Sequence, residues 1–146
     1  MSKINHNIEW QGSLKIGDER IDAQHRQVFE LLSEIVDSCL DGSSEKILHK
    51  VLDFFIDYTA FHFSDEESLQ MQYDYPQYKE HKQQHDEFKV KVRELAEKFK
   101  NEGSTKELSD NVNKIVLRWL VIHIIREDMK LGRYIKTKTV FNVEPN

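Results

Sequence analysis

Apolar residues recur every three or four positions through most of this chain, a spacing that predicts amphipathic helices. Short turn-forming stretches separate four such segments, at about residues 18–41, 44–73, 76–101 and 105–131. The first segment follows Asp18, a residue type that commonly caps helices. Four helices of ~20–30 residues joined by short turns predict an all-α fold, an up-down-up-down four-helix bundle.

Glycine, proline and capping residues mark the ends of these predicted helices. Gly42 is a C-terminal signal for the first helix, Gly103 closes the third, and Gly132 is expected to end the fourth. Pro76 suits the first turn of the third helix. The stretch 104–107, Ser-Thr-Lys-Glu, matches a capping box at the start of the fourth helix.

Two segments lie outside the predicted bundle. Residues 1–17 are expected to form an extended arm, which Trp10, Leu14 and Ile16 anchor to the core. Residues 133–146 form a mixed tail for which the pattern predicts no element. Because no linker or repeat interrupts the chain, the helices and both segments are expected to form one domain.

Composition narrows the class of protein. With 146 residues, 38% of them hydrophobic and 32% charged, the chain can bury the core of one helical domain. A net charge of −5 argues against a nucleic-acid partner. No apolar run approaches the ~20 residues of a membrane helix, and the start of the chain lacks an apolar signal core. The single cysteine, Cys39, is expected to be a small core residue, and a cytoplasmic location is the expectation.

Seven histidines are unusual in so short a chain, and five of them fall on the apolar faces of the predicted helices. His123 lies within the most apolar run of the sequence, residues 119–128. In an up-down-up-down bundle, the starts of the odd helices and the ends of the even helices meet at one end. Five histidines and two carboxylates are therefore predicted to converge there: His25, His62, Glu66, His81, His85, His123 and Asp128.

Spacing within the helices supports a metal site. His62/Glu66 and His81/His85 are pairs four residues apart, so the members of each pair share a helix face. The alternative is a buried polar cluster satisfied by its own hydrogen bonds, but so many imidazoles and carboxylates in one apolar layer carry a heavy desolvation penalty. Multivalent cations remove that penalty. Imidazole with carboxylate and no thiolate suits iron, zinc, copper or manganese.

The candidate ligands outnumber the needs of a single ion, so two ions that share the carboxylates are expected. If both ions are six-coordinate, five imidazoles, two bridging carboxylates and one bridging oxygen fill every position but one. The remaining position can take a small diatomic ligand.

Neighbouring polar residues serve as controls for this interpretation. His49 lies ~220° around the helix from His62 at ~100° per residue, so its side chain is expected to face outward. Asp65 and Glu67 flank Glu66 but miss the register of the inward face, and a solvated acidic edge is expected of them.

The fourth helix has an odd spacing, because His123 and Asp128 are five residues apart. Five steps leave Asp128 ~140° away from His123 on a regular helix, whereas Glu127 points toward the metals. Either Glu127 is the ligand, or the helix contains one extra residue as a π-bulge, a feature that clusters at functional sites. Spacing alone leaves both possibilities open.

Four motifs resemble those of the hemerythrin family, specifically its single-domain bacteriohemerythrins. They are Ile21-Asp22-Ala23-Gln24-His25, His62-Phe63-Ser64-Asp65-Glu66-Glu67, His81-x-x-x-His85 and Trp119-Leu120-x-x-His123-x-x-x-x-Asp128. The resemblance implies a non-haem di-iron centre with a bridging oxygen, oxo or hydroxo, that binds dioxygen reversibly without enzymatic turnover. Ferritin-like di-iron proteins instead use Glu-x-x-His pairs, which this sequence lacks.

The same resemblance implies a role for each ligand. One iron is held by three histidines and the other by two, and the carboxylates bridge them: His81, His85 and His123; His25 and His62; Glu66 and Asp128. Because the family pattern assigns the aspartate, we predict a π-type or irregular turn at residues 123–128.

An apolar wall is expected beside the open coordination position. Helix geometry places Val28 and Phe63 next to the two-histidine iron, while Trp119, Leu120 and Ile124 flank the histidine of the fourth helix. Such a wall excludes the water and anions that displace bound dioxygen.

Three functions are compatible with such a centre. A dioxygen carrier or store is favoured by the complete ligand set and the lack of an attached domain, and it implies an oxygen-consuming protein as partner. A dioxygen or redox sensor usually signals through a fused domain. A di-iron enzyme acts on peroxide or nitric oxide. A structural zinc bundle is the remaining alternative, which metal analysis separates from the others.

Overall fold

The computed structural model of the chain describes residues 12–41, 45–103 and 105–142, and the regular elements in these ranges are all helical. A short 3-10 turn (Gly12–Leu14) precedes helices α1 (Glu19–Asp41), α2 (Glu45–Gln72) and α3 (Tyr78–Glu102). The fourth helix runs unbroken over residues 106–142 as α4 (Lys106–Asn111), a first π segment (Val112–Leu117), α5 (Arg118–His123), a second π segment (Ile124–Asp128) and α6 (Met129–Asn142). None of the helices described is long and apolar enough to cross a membrane.

The four helices alternate in direction around one core, so the predicted all-α bundle is confirmed. Late residues of α1 and α3 meet early residues of α2 and the fourth helix around one small apolar cavity. We call this region the apolar end, lined by Leu32, Ile35, Leu52, Phe55, Val92, Leu95, Leu108 and Val116. The seven predicted ligands gather toward the other end, the histidine end.

The starts of two helices are capped by side chains. The amide of Ile21 donates to Asp18 Oδ1 at 2.9 Å, which confirms the predicted cap of α1. At the fourth helix, the Leu108 amide donates to Thr105 Oγ1 at 3.0 Å. The cap therefore sits one residue later than the predicted box, whose first residue lies outside the described residues. Glu107 of that box instead forms a surface ion pair with a lysine of α3.

The predicted turns between helices are partly confirmed. Gly103 ends α3 with a φ of 77°, and its amide donates to Phe99 O at 2.7 Å. That backbone conformation favours glycine. Pro76 lies in the turn before Tyr78 rather than in the first turn of α3. Gly42 lies outside the described residues.

Gly132 does not end the fourth helix, which continues to Asn142. The prediction was wrong because this glycine makes room for the N-terminal arm. A Cβ atom at Gly132 would clash with the backbone oxygen of Ile16, so no larger residue fits there without movement. Ile16 is buried and Leu14 packs against the core, which confirms both as anchors. Trp10, the third predicted anchor, lies outside the described residues.

The second π segment confirms the irregular turn predicted at residues 123–128. Its hydrogen bonding follows a five-residue step, since the amide of Met129 donates to Ile124 O. The extra residue per turn rotates Asp128 into the core, while Glu127 stays half-buried. The first π segment, which α5 separates from the second, was not predicted.

Candidate metal centre

The structure brings all seven predicted ligands together at the histidine end. Each is buried, with at most 3% of its surface exposed. Their potential ligand atoms form two groups, and within each group these atoms lie within 4.8 Å of one another. One group holds three histidines and the other two, and both contain the same two carboxylates: Glu66, His81, His85, His123 and Asp128; His25, His62, Glu66 and Asp128.

Glu66, on α2, lies between the two groups of histidines. Its Oε1 is 2.7 Å from His81 Nε2 and 3.2 Å from His85 Nε2. Its Oε2 faces the other group, 3.4 Å from His25 Nε2 and 3.5 Å from His62 Nε2. A carboxylate that offers one oxygen to each group has the orientation needed to bridge two cations.

Asp128 has the same divided orientation from the opposite side. Its Oδ1 lies 2.9 Å from His81 Nε2 and 3.1 Å from His123 Nε2, and its Oδ2 lies 3.1 Å from His25 Nε2. The second π segment makes this possible, because a regular helix would turn Glu127 inward instead. Of the two acids left open by spacing, the structure brings Asp128 to the cluster.

The outer nitrogens of the histidines show which way their lone pairs point. His85 Nδ1 lies 2.8 Å from a carboxylate oxygen of Glu67, and His123 Nδ1 lies 2.9 Å from Gln84 Oε1. Because those oxygens only accept, each Nδ1 donates its hydrogen to them, which leaves Nε2 as the ring nitrogen that can bind a metal ion. The two Nε2 atoms face each other at 3.1 Å. A cation between these nitrogens and the adjoining carboxylates would bind both kinds of group and offset the negative charge. The donor set therefore fits metal ions.

His62 is oriented by a chain of side chains that reaches the surface. Its Nδ1 lies 2.9 Å from Gln24 Oε1, and Gln24 Nε2 donates to Asp65 Oδ2 at 2.7 Å. Arg20 Nε donates to the same oxygen at 2.6 Å. The carboxylate fixes the amide orientation of Gln24, so His62 also presents its Nε2 lone pair to the cluster.

These outer contacts correct part of the sequence analysis. Glu67 was expected on a solvated acidic edge but holds His85, and Asp65 contributes through Gln24. Both miss the inward face of α2, yet the side chain of Glu67 reaches the outer nitrogen of His85 and that of Asp65 reaches the amide of Gln24. Gln24 and Gln84 were not predicted as functional residues. Their position in the sequence could have indicated a role, because each glutamine immediately precedes a ligand histidine.

The control residues lie away from the cluster. His49 is half-buried rather than fully outward, with its ring 4.4 Å from the ring of Phe99 at the end of α3. That contact is at the opposite end of the bundle from the cluster and offers no ligand partner. The side chain of Cys39 lies outside the described residues.

Aromatic rings cover one side of the cluster. Phe63 stacks on His85 with ring centroids 3.9 Å apart, and Trp119 stacks on His123 at 4.5 Å. Phe63 was expected beside the two-histidine position, but its ring is farther from His62, at 5.8 Å. The other three predicted wall residues, Val28, Leu120 and Ile124, are all buried in the core.

Without metal, the cluster balances its charges with protons. Burial alone lowers the pKa of His25, but hydrogen bonds to Asp128 and Glu66 outweigh burial and raise that pKa to about 10. The same balance raises the pKa of His81 to about 10. Burial, reinforced by the charge of His25, lowers the pKa of His62 to about 3. Positive charge is thus required between the two carboxylates, and divalent or trivalent cations supply more of it than protons do.

Comparisons with known proteins agree with this geometry. Residues 16–135 match the family model of the hemerythrin HHE cation binding domain. The chain is 32% identical over 129 residues to a bacteriohemerythrin of Stenotrophomonas maltophilia, covering 88% of this chain and 82% of that protein. It is 34% identical over 121 residues to the myohemerythrin of Sipunculus nudus, covering 83% and 88%. A bacteriohemerythrin of Methylococcus capsulatus is 31% identical over 111 residues, covering 76% and 82%. The chain belongs to the hemerythrin family.

Proposed function

We propose that this protein binds dioxygen reversibly at a non-haem di-iron centre and serves as an oxygen carrier or store. Membership of the hemerythrin family supports an oxygen-binding protein rather than an enzyme. The observation that carries the proposal is the pair of overlapping ligand groups, unequal in histidines and joined by Glu66 and Asp128. An equal division would leave no reason for one metal position to be more open than the other.

The ligand assignment follows the two groups. Three histidines would hold one iron, two would hold the other, and the two carboxylates, together with an oxo or hydroxo oxygen, would be shared between them: His81, His85 and His123; His25 and His62; Glu66 and Asp128. When bound, the iron pair supplies the redox chemistry of reversible dioxygen binding, and the two-histidine position supplies the open coordination site. No side chain is assigned as an acid or base.

Outer residues prepare the imidazoles for metal. Gln24, Gln84 and Glu67 accept the Nδ1 hydrogens and hold three rings with Nε2 directed inward. Such partners fix the tautomer and raise the basicity of a ligand histidine. The Nδ1 atom of His85 is hydrogen-bonded to a carboxylate, whereas that of His62 is hydrogen-bonded to an amide. A carboxylate partner makes the imidazole more basic, so His85 is the stronger metal ligand of the two.

Apolar side chains limit what else reaches the centre. Val28, Leu120 and Ile124 are at most 2% exposed, and they are packed in the same core cluster as Phe63. These groups cannot hydrogen-bond to water or anions, so polar ligands gain little by entering. A small apolar gas enters such surroundings without that penalty. A carrier or store further implies a partner protein that consumes the oxygen.

The proposal is tested by metal content and absorbance. Protein loaded with ferrous iron under inert gas should hold two irons per chain, one for each ligand group. It should develop a new absorbance band in air that disappears on return to inert gas. Stoichiometric zinc in the native protein, or an air-induced change that inert gas does not reverse, would contradict reversible binding. Catalytic consumption of peroxide or nitric oxide would favour the enzyme instead.

A further inference from the structure

The C-terminal part of the fourth helix contacts the turn between α2 and α3. Tyr134, on α6, places its hydroxyl 2.8 Å from the backbone oxygen of Tyr73 and 3.1 Å from that of Asp74. A hydroxyl has one hydrogen, so Tyr134 donates to both carbonyls as a shared bond. Residues that the sequence analysis left without a role are thus tied to the end of the bundle.

That turn needs outside support. Asp74 has a φ of 50°, a left-handed conformation that residues with a Cβ adopt only rarely. Within the turn, the amide of Tyr75 donates to Gln70 O at 2.9 Å, and that of Asp74 donates to Met71 O at 3.2 Å. These bonds engage two amide groups of the turn with oxygens of α2. Two carbonyl oxygens of the turn, those of Tyr73 and Asp74, accept from the hydroxyl of Tyr134.

The turn carries Tyr75 against the ligand cluster. Only 6% of Tyr75 is exposed, and its ring lies edge-on to the ring of His81 with centroids 6.4 Å apart. The ring of Tyr134 also lies beside it, with centroids 5.2 Å apart. Burial, followed by the negative charges of Glu127 and Asp128, raises the pKa of Tyr75 to about 12, in keeping with a position close to the carboxylates.

The helix that bears Tyr134 is itself fixed in place. Leu131 is fully buried, and Gly132 packs so closely on the backbone of Ile16 that a Cβ atom would not fit. The arm of Ile16 is tied to α1, because its amide donates to Asp22 Oδ1 at 2.7 Å. Tyr134 therefore extends from a well-anchored position.

We propose that Tyr134 is a positioning residue that holds the turn at residues 73–77 closed, so that Tyr75 shields the His81 side of the metal centre from solvent. Opening of the turn is then the route by which water and metal ions exchange with the cluster. The shielding rests on the proposed metal centre, whereas the closure of the turn does not depend on any bound metal.

The test uses zinc-loaded protein, in which dioxygen chemistry plays no part. Tyr134→Phe removes only the hydroxyl and keeps the ring beside Tyr75. Hydrogen exchange at the amides of Asp74 and Tyr75 should accelerate about fivefold, the effect of losing one hydrogen bond of ordinary strength. Release of zinc to an excess of chelator should accelerate by a similar factor. Tyr58→Phe removes the hydroxyl of a half-buried tyrosine of α2 whose ring lies beside Phe54 and Phe61, and it should change neither rate.

A second variant separates shielding from folding. Tyr75→Ala removes the shield directly, so it should release zinc at least as fast as Tyr134→Phe while circular dichroism shows unchanged helix content. Unchanged amide exchange in Tyr134→Phe would overturn the closure of the turn by Tyr134. Faster exchange with unchanged zinc release in both variants would overturn the shielding. If the wild type fails to bind metal at all, the di-iron proposal fails, yet the amide exchange still decides the role of Tyr134.

Discussion

The two ends of this bundle are built from the same four helices and are buried to a similar degree, yet their chemistry is opposite. At the apolar end every helix contributes Leu, Ile, Val or Phe to a common packing layer. At the histidine end the helices contribute imidazoles and carboxylates to an equally enclosed space. Apolar burial stabilises the fold by itself, roughly 1.5–3 kcal/mol for each large side chain. Burial of the polar cluster costs free energy unless charge enters with it.

The comparison suggests that one end of the domain stabilises the fold while the other end binds the ligand. We expect the apolar end to maintain the bundle whether or not metal is bound, so the histidine end can hold buried carboxylates that need positive charge beside them. Burial lowers the pKa of His25 and of His81, but hydrogen bonds to the carboxylates outweigh burial and raise each pKa to about 10, so the cluster favours positive charge. Substitutions at the two ends should therefore produce distinct effects.

The largest effect is expected at the histidine end. His123→Ala removes a ligand of the three-histidine group. The affinity of the variant for iron should fall by more than ~100-fold, because loss of a group that only hydrogen-bonds to a metal ligand already costs roughly 10–100-fold. Because bound metal stabilises the folded state, added iron should also raise the free energy of unfolding of this variant by less than that of the wild type. His49→Ala, a histidine replacement near the apolar end, should alter neither quantity. Equal iron loss in the two variants, measured by metal analysis after gel filtration, would refute the assigned helix faces.

A core substitution at the apolar end should show the converse pattern. Phe55 is 1% exposed, and Phe55→Ala should lower the free energy of unfolding by ~3–5 kcal/mol in metal-free and iron-loaded protein alike. The folded variant should still bind its full complement of iron. Denaturant titrations of the metal-free and iron-loaded protein measure the free energy of unfolding, and metal analysis measures the iron content. Loss of iron from the folded variant would show that the ends are not independent.

The smallest effect concerns the apolar wall of the histidine end. Leu120→Ser or Ile124→Ser should speed irreversible oxidation of the iron-loaded protein about tenfold, the effect of lowering a barrier by ~1.4 kcal/mol. The physical reason is easier entry of water and protons beside the open position. Leu95→Ser supplies the control, because it places the same hydroxyl in the apolar end. Oxidation followed by absorbance in air should distinguish them, and equal rates in all variants would remove these residues from the wall.

The sequence predicted the bundle and the gathering of the seven ligands because both depend on helical periodicity and chain direction. Spacing also marked residues 123–128 as irregular or Glu127 as a ligand, and the resemblance to the hemerythrin family selected Asp128, which the second π segment brings to the cluster. No such conflict marks the first π segment, so nothing in the sequence distinguished it from ordinary helix. Gly132 was misread because glycine serves equally at helix ends and at close backbone approaches, and only the position of Ile16 separates the two uses.

The outer contacts of the ligands were harder to predict for a different reason. Gln24 and Gln84 act across helices, so their partners depend on packing distances that periodicity does not contain. Glu67 was placed in solvent because its backbone position lies off the inward face, although its long side chain reaches His85. Side-chain reach, rather than helix phase, decided these contacts.

The most direct test of the account is anomalous diffraction at the iron edge from crystals of the iron-loaded protein. We expect two peaks roughly 3.5–4 Å apart, the usual separation of paired metal ions, each within bonding distance of one oxygen of Glu66 and one of Asp128. Three histidine nitrogens should surround one peak and two the other. A single peak, or two peaks bound by Glu127 in place of Asp128, would contradict the centre proposed for this protein.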